Sequence, residues 1–289
     1  MTRSRLAAGG LLAAALAAGT LSDSAPANPP RTLGGYHVLA VDFHIHSFPQ
    51  TWSTLAPWDT VIEAGHQGLD AIAMVPHDQV WAAKVGHWFA GAAGGAIVLV
   101  GEEITTPGYH LLAVGITERV ATDLTAARAI DDIHRQGGVA IAAHPYRWSW
   151  PAYDAEAMQK LDGSEVVRPE TAFSLVFGSE LDEFFQRAPL TPIGASDYHG
   201  LGLMGHARTF VFAKERTERG ILDAVRDGRT IVYGNGRVYG DPGLIELAAH
   251  DGTLDRGVPQ LPVPGAARLF SRITGVLGLV LAAFVGRRS

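Results

Sequence analysis

Apolar and polar positions along the chain follow two periods, which together predict strands that alternate with helices. Short apolar runs predict buried strands at His37–Phe43, Asp70–Val75, Ala96–Val100, Tyr109–Gly115, Gly138–Ala142, Glu165–Val167, Pro192–Ala195 and Thr209–Phe212. Amphipathic segments predict helices at Trp58–Gln67, Gln79–Ala93, Asp123–Gln136, Tyr153–Leu161, Ser179–Arg187 and Thr217–Asp227. This alternation is typical of parallel βαβ units. Roughly seven units fit a closed or nearly closed barrel better than an open sheet, so we predict an α/β fold, a (β/α)7 barrel.

The amino-terminal end has the pattern of a secretory signal peptide. Arg3 and Arg5 precede an apolar run from Leu6 to Leu21, and small residues then lead to Ala25-Pro26-Ala27. We predict that residues 1–27 are a signal peptide cleaved after Ala27, so that the protein is exported. The alternative is an uncleaved amino-terminal anchor.

The carboxy-terminal end has the pattern of a second targeting segment. Pro262-Val263-Pro264 precedes an apolar run from Ile273 to Val285, and Gly286-Arg287-Arg288 follows. Residues 261–289 resemble the PEP-CTERM class of bacterial sorting signals, with a plain membrane anchor as the alternative. We expect a periplasmic or cell-surface protein, with membrane association through this segment, and a single catalytic domain over residues 36–250.

The amino-acid composition excludes several classes of partner and catalytic site. The 289 residues carry a formal net charge of −6 and lack a Lys/Arg-rich run, so no nucleic-acid partner is expected. Cysteine is absent, which excludes disulfides, thiol catalysis and cysteine-ligated zinc.

Metal-capable side chains recur where predicted strands end. Barrel enzymes place their chemistry at the carboxyl ends of the strands. Five predicted strands end at such residues: His44 and His46, His77, Glu103, His144, and Asp197 with His199. Each could separately be a loop histidine, a helix-start carboxylate or a turn residue. Their recurrence at one end of a barrel predicts a metal site.

The motifs in order resemble the PHP (polymerase and histidinol phosphatase) family. They are Asp42-Phe43-His44-Ile45-His46-Ser47, Gly68-Leu69-Asp70-Ala71-Ile72 leading to His77, Gly101-Glu102-Glu103-Ile104, Tyr109-His110-Leu111-Leu112, Ala143-His144-Pro145 and Gly194-Ala195-Ser196-Asp197-Tyr198-His199. The resemblance covers Tyr36 to Tyr233 and is nearest to the small phosphoesterase branch, which includes carbaryl-hydrolase-like enzymes.

The resemblance implies a distorted seven-stranded barrel with two or three divalent ions, which zinc, manganese or iron would suit. The implied first ion is held by His44, His46, Glu103 and Asp197. Glu103 bridges to a second ion, which His110 and His144 complete. His77 and His199 would serve a third.

The third ion is in doubt because the sequence departs from the family pattern. Ser47–Ala56 contains no acidic residue, and Pro76 replaces the usual aspartate before His77. Asp59 or Asp78 is the possible substitute.

The implied reaction is hydrolysis of a small-molecule phosphate ester through a metal-bridging hydroxide. A carboxylester or carbamate hydrolase on the same site is an alternative, and a catalytically impaired metal-binding module is another. Arg147 would either clamp a phosphate or form a salt bridge at the barrel rim. Without a third ion, His77 or His199 could protonate the leaving group.

The amidohydrolases also use His-x-His, but they commonly bridge their metals with a carboxylated lysine. Lys84, Lys160 and Lys214 each lie away from ligand-bearing strand ends, which favours the PHP reading. Substrate specificity would lie in the tryptophans or their loops: Trp52, Trp58, Trp81, Trp88, Trp148 and Trp150.

Overall fold

The strands form one 11-stranded sheet that curves into a nearly closed barrel. The computed structural model describes residues 3–22, 29–49, 53–167, 172–200, 202–234, 236–251 and 265–286. The strands are β1 (Thr32–Leu33), β2 (Tyr36–Ile45), β3 (Ala71–Met74), β4 (Ile97–Thr105), β5 (His110–Val114), β6 (Val139–Ala142), β7 (Gly163–Val167), β8 (Thr191–Gly194), β9 (Thr209–Ala213), β10 (Thr230–Gly234) and β11 (Arg237–Gly240). Their order is β11-β10-β9-β2-β3-β4-β5-β6-β7-β8, with β1 paired to β2. All eight predicted strands are present.

Helices follow most of the barrel strands and cover them. They are α1 (Arg3–Ser22), α2 (Pro57–His66), α3 (Trp81–Ala93), α4 (Ala126–Arg135), α5 (Ala155–Lys160), α6 (Ala172–Phe185), α7 (Glu218–Arg226), α8 (Pro242–Asp251) and α9 (Ala266–Gly286). Several begin later than predicted because a side chain caps the first turn. Thr125 accepts the backbone N–H of Arg128, and Asp154 accepts that of Ala157.

The expectation of parallel βαβ units throughout was wrong for β5 and β9. β5 runs antiparallel to both β4 and β6, and β9 runs antiparallel to β2. The turn between β4 and β5 explains the first reversal. Thr105 lies opposite His110 in the ladder, and the Thr106 side chain accepts the N–H of Tyr109, which closes a tight hairpin with no room for a helix.

Threonine hydroxyls join the two sides of the barrel at β8. The hydroxyl of Thr209 in β9 lies 2.9 Å from both the N–H and the carbonyl of Gly194 in β8. Thr230 in β10 donates to the carbonyl of Pro192 at 2.9 Å.

The interior of the barrel is filled by apolar side chains, except at the end where the predicted ligand residues lie. Along β2, Leu39, Val41 and Phe43 belong to one buried cluster, while Val38 and Ala40 belong to another that includes residues of α2 and α3. This alternation is that of a strand with a different layer on each face. Residues of α7 join the interior cluster, so α7 covers the end of the barrel opposite the polar residues.

The two terminal helices pack against each other and against α2. Leu12 lies beside Gly278 and Gly19 beside Ser271, so α1 and α9 are antiparallel. The Ser271 hydroxyl lies 2.8 Å from both the Ala15 carbonyl and a carboxylate oxygen of Asp59 in α2. In the described part of the chain one helix, Ala266–Phe284, could cross a membrane by length and composition. The predicted cleavage position after Ala27 lies outside the described residues.

Candidate metal centre

The predicted ligand residues converge at one end of the barrel. His44 lies near the end of β2 and His46 just beyond it, Glu103 lies within β4, and His144 and Asp197 follow β6 and β8. His110 is the first residue of β5. Because β5 is antiparallel, its amino end lies at the same barrel end as the carboxyl ends of its neighbours. The reversal of β5 therefore brings His110 into the site.

The first group contains four donors. His44 Nε2 and His46 Nε2 are 3.0 Å apart, and Asp197 Oδ1 is 3.2 Å from each of them. Glu103 Oε2 lies 3.2 Å from His44 Nε2 and 3.3 Å from His46 Nε2. The four donors lie within 4.8 Å of one another, as a single ion would require.

The second group shares Glu103 with the first. Its other oxygen, Oε1, is 2.9 Å from His110 Nδ1 and 3.1 Å from His144 Nε2. One carboxylate therefore turns one oxygen to each group, which is the arrangement of a bridging ligand.

A third group consists of imidazoles only. His46, His77 and His199 have ring nitrogens within 4.8 Å of one another. The His46 ring stacks on each of the other two, with centroids 4.5 Å from His77 and 4.1 Å from His199, and the His77 and His199 centroids are 6.1 Å apart. The nearest carboxylates are those of the first group: Glu103 Oε2 is 3.2 Å from His77 Nδ1, and Asp197 Oδ1 is 3.5 Å from His199 Nδ1.

Neither acid suggested as a substitute lies in the third group. Asp59 faces α9 through Ser271, and Asp78 Oδ1 accepts the N–H of Thr105 at 2.9 Å. Residues 50–52, which include Trp52, lie outside the described part of the chain.

The donor set fits divalent cations. Two imidazole Nε2 atoms face each other and two carboxylate oxygens, an assembly of acceptors that a cation stabilises. Burial alone would raise the pKa of Glu103, yet the imidazoles around it, His44 first, hold it well below the usual value. Burial likewise opposes a charge on His44, but the carboxylates, Asp197 first, raise its pKa well above the usual value. The site therefore attracts positive charge.

Three residues near the site have positive backbone dihedrals. The φ angles are 27° at His144, 51° at Asp197 and 52° at Asp78. Such values are uncommon for residues with a β-carbon and cluster at functional sites. A register irregularity between Asp42 and Ile45 in the pairing of β2 with β3 also lies at His44, where a bulge can redirect a side chain.

Two buried carboxylates that support the ligands were missed by the sequence analysis. Glu165 in β7 contacts His44 and the backbone of His144. Asp42 accepts backbone N–H groups from His44, Ser196 and Gly205. For both residues, the sequence signal that could have indicated a role in the site is an acidic residue within an otherwise apolar strand.

Arg147 forms the rim salt bridge that was the alternative to a phosphate clamp. Its Nη2 is 2.6 Å from Glu183 Oε2, and its Nε is 3.4 Å from Glu180 Oε1. The guanidinium also lies over the ring of Trp150.

Trp148 contacts the ring of the donor His110. Its ring centroid is 5.4 Å from that of His110, and the residue is 49% exposed. Trp58 is buried beside Gly275 of α9, and Trp150 packs on Phe184. Trp81 and Trp88 are exposed on α3.

Two comparisons with known sequences gave a match. A family profile described as PHP-associated matches residues 180–230. The uncharacterized protein MJ1587 of Methanocaldococcus jannaschii is 26% identical over 167 residues, which cover 52% of this chain and 94% of that protein.

Two solved structures resemble this chain in fold to different degrees. A two-domain protein of Bacteroides vulgatus containing a predicted PHP-like metal-dependent phosphoesterase superposes with a TM-score of 0.60 at 24% identity, covering 78% of this chain and 74% of that chain. An amidohydrolase of Chromobacterium violaceum gives a TM-score of 0.44 at 16% identity, covering 68% and 98%. The first likeness shows the fold, so the predicted barrel is confirmed.

Proposed function

We propose, from the likeness of the motifs to the PHP family and the PHP-associated match at residues 180–230, that the protein is a metal-dependent hydrolase whose substrate is a small-molecule phosphate ester. The observation that carries the proposal is the position of Glu103. Its two oxygens face two separate donor groups, and five imidazoles lie within 3.3 Å of the carboxylate. A shared carboxylate between two such groups is typical of hydrolytic sites with two metals.

When bound, two divalent ions of the zinc, manganese or iron type would supply Lewis acidity and a water molecule that ionises near neutral pH. His44, His46, Glu103 and Asp197 would hold one ion, and Glu103, His110 and His144 the other. The chain itself supplies burial, since His44 and His46 are fully buried and Glu103 is 1% exposed. Low exposure strengthens the interactions of the charged groups.

His77 and His199 lie on the side of the site that solvent reaches. Their side chains are 19% and 28% exposed, whereas those of His44 and His46 are fully buried. We propose that one of them delivers a proton to the leaving group when no third ion engages it, which requires the bound substrate to raise imidazole pKa values that burial lowers, to about 4 at His77.

A carboxylester or carbamate substrate is the second candidate, and the position of Arg147 favours it. The guanidinium is paired with Glu180 and Glu183, so in this arrangement it is not directed at a phosphate. A neutral ester requires no such clamp.

A substrate panel tests these alternatives. The metal-loaded protein is assayed on a chromogenic phosphate monoester, a phosphate diester and a carboxylester. We expect the highest turnover on a phosphate ester; turnover confined to the carboxylester would select the second candidate. Full metal loading without any turnover would indicate an impaired metal-binding module.

Two substitutions test the site itself. His44→Ala and Asp197→Ala should each abolish activity with the fold retained. His134→Ala is the matched control, because His134 is exposed and pairs with Asp162 at 2.8 Å. Near-normal turnover of either site variant would contradict the proposed first group.

We also propose that the protein is exported and held at the membrane by its carboxy-terminal helix. The outer face of α9 carries the exposed side chains of Phe270, Ile273, Leu277 and Phe284. A contiguous exposed apolar face of this kind is typical of a surface that contacts the lipid of a membrane. Membrane fractionation and mass determination of the mature protein would show whether the helix is retained and whether residues 1–27 are removed.

A further inference from the structure

Glu165 is a fully buried carboxylate whose two oxygens have different partners. Oε1 is 2.7 Å from His44 Nδ1, and Oε2 accepts the backbone N–H of His144 at 2.7 Å. Glu165 itself is 0% exposed and lies in β7, between the strands that precede His144 and Asp197. It therefore contacts one member of each of the two donor groups that share Glu103.

The contact with His44 settles which of its nitrogens faces the donor group. The neutral imidazole of His44, which is the form that would bind an ion, carries one N–H, and a carboxylate at Nδ1 places that proton on Nδ1. The Nε2 lone pair then points toward His46 and Glu103, which lie 3.0 and 3.2 Å from it. Carboxylates that accept from the distal nitrogen of a metal-binding histidine fix its tautomer and its ring orientation.

The contact with His144 acts on the backbone. His144 has a φ of 27°, an unfavourable value for a residue with a β-carbon. Its N–H is bound to Glu165, and its carbonyl accepts the N–H of Tyr146 at 2.7 Å. These bonds hold the turn that directs His144 Nε2 toward Glu103 Oε1. The rings of His44 and His144 stack with centroids 5.6 Å apart, so a shift in one ring affects the other.

We infer that Glu165 is a positioning residue that couples the two metal groups by orienting His44 of the first and His144 of the second. This inference rests on the proposed function in that it assumes two ions. It assigns Glu165 no contact with substrate.

The test measures metal affinity in the full-length protein by chelator competition with Zn²⁺, resolved into two binding steps. Glu165→Ala removes both contacts and should weaken both steps by about 10- to 100-fold. Glu165→Gln keeps the shape but offers one carbonyl oxygen and one amide donor, so it should weaken at least one step by about 10-fold. Because it changes so little volume, it keeps the test valid if the alanine variant does not fold.

Glu102→Gln is the matched control. Glu102 is also a fully buried glutamate, on β4, but its Oε1 accepts the N–H of Val120 in a loop outside both donor groups. Its zinc affinities should equal those of the wild type. If Glu165→Gln binds both ions as the wild type does, or if a folded Glu165→Ala weakens only one step, the coupling role is wrong.

A second measurement separates this inference from the proposed function. In the metal-free protein, NMR should show the Nδ1 proton of His44 protected from exchange in the wild type and lost in Glu165→Ala. Equal exchange in both proteins would overturn the positioning role. A wild type that binds no zinc while showing this protection would instead overturn the proposed function.

Discussion

Replacing Asp42 by asparagine should cost stability by an amount that the structure allows us to work out. Asp42 is 0% exposed, and its Oδ1 accepts the N–H groups of His44 at 3.2 Å and Ser196 at 3.1 Å. Its Oδ2 accepts the N–H of Gly205 at 2.8 Å. These bonds join β2 to the segment that carries Asp197 and His199.

An asparagine in the same position can keep only part of this set. With its carbonyl oxygen at the Oδ1 position, it retains the bonds from His44 and Ser196 and places an amide donor against the N–H of Gly205. One buried N–H then loses its acceptor, which costs about 1–3 kcal/mol. Asp42→Ala leaves three such groups without their acceptor and should cost roughly 3–9 kcal/mol.

Urea unfolding of the metal-free protein measures these differences. Asp223→Asn, at an exposed position of α7, is the control and should change the free energy of unfolding by less than about 0.5 kcal/mol. Asp42→Asn should also weaken the first metal step more than the second, because Asp197 belongs to the first group. A change below about 0.5 kcal/mol in Asp42→Asn would refute this account of the Asp42 contacts.

Three further predictions concern other parts of the molecule. Burial raises the pKa of Asp59 to about 6 from 3.8, so the stability present below pH 4 should fall as the pH rises through 6. In Asp59→Asn, the decrease in the free energy of unfolding between about pH 4 and pH 6 should be smaller by up to about 3 kcal/mol. A pH profile identical to that of the wild type would contradict this prediction. Restoring an acid to the Ser47–Ala56 stretch, where the family pattern has one, by Trp52→Asp should raise occupancy of the third, imidazole-only group; anomalous diffraction showing no gain would count against this. Trp148→Ala should raise the KM for an aryl phosphate several-fold while Trp88→Ala leaves it unchanged, and equal effects would exclude Trp148 from the substrate site.

Much of the candidate site could be predicted from the sequence because most of its donor residues lie at or near strand ends. His44 and His46 follow an apolar strand directly, and so does His144. A strand can be predicted from the apolar pattern of a few neighbouring residues, and the barrel then brings the carboxyl ends of its parallel strands together. The three groups that the structure brings together contain all eight predicted ligands.

Strand direction could not be predicted in the same way. The apolar pattern of β5 is the same whichever way the strand runs, and only the hairpin at Thr105–His110 shows that it reverses. The β10–β11 hairpin and α8 were likewise not predicted. Glu165 was missed because its partner His44 lies 121 positions away in the chain. Contacts over such separations depend on the finished fold and leave no periodic signal.

The packing of α1 on α9 also depends on the whole fold. The sequence predicts two separate targeting segments, one at each end of the chain. In the structure, the helices of these segments, α1 and α9, pack together against α2. Arg268 lies 2.5 Å from Glu63, and Arg272 contacts the same carboxylate. A polar contact of this kind between a terminal helix and the barrel has no local signature.

The most direct test of the central claim is anomalous diffraction from metal-replete crystals at the absorption edge of the bound metal. The account predicts two ions: one among His44, His46, Glu103 and Asp197, and the other among Glu103, His110 and His144. The third group should be empty or weakly filled, because it lacks a carboxylate of its own. Protein without metal, or with metal outside the two groups that share Glu103, would contradict the claim.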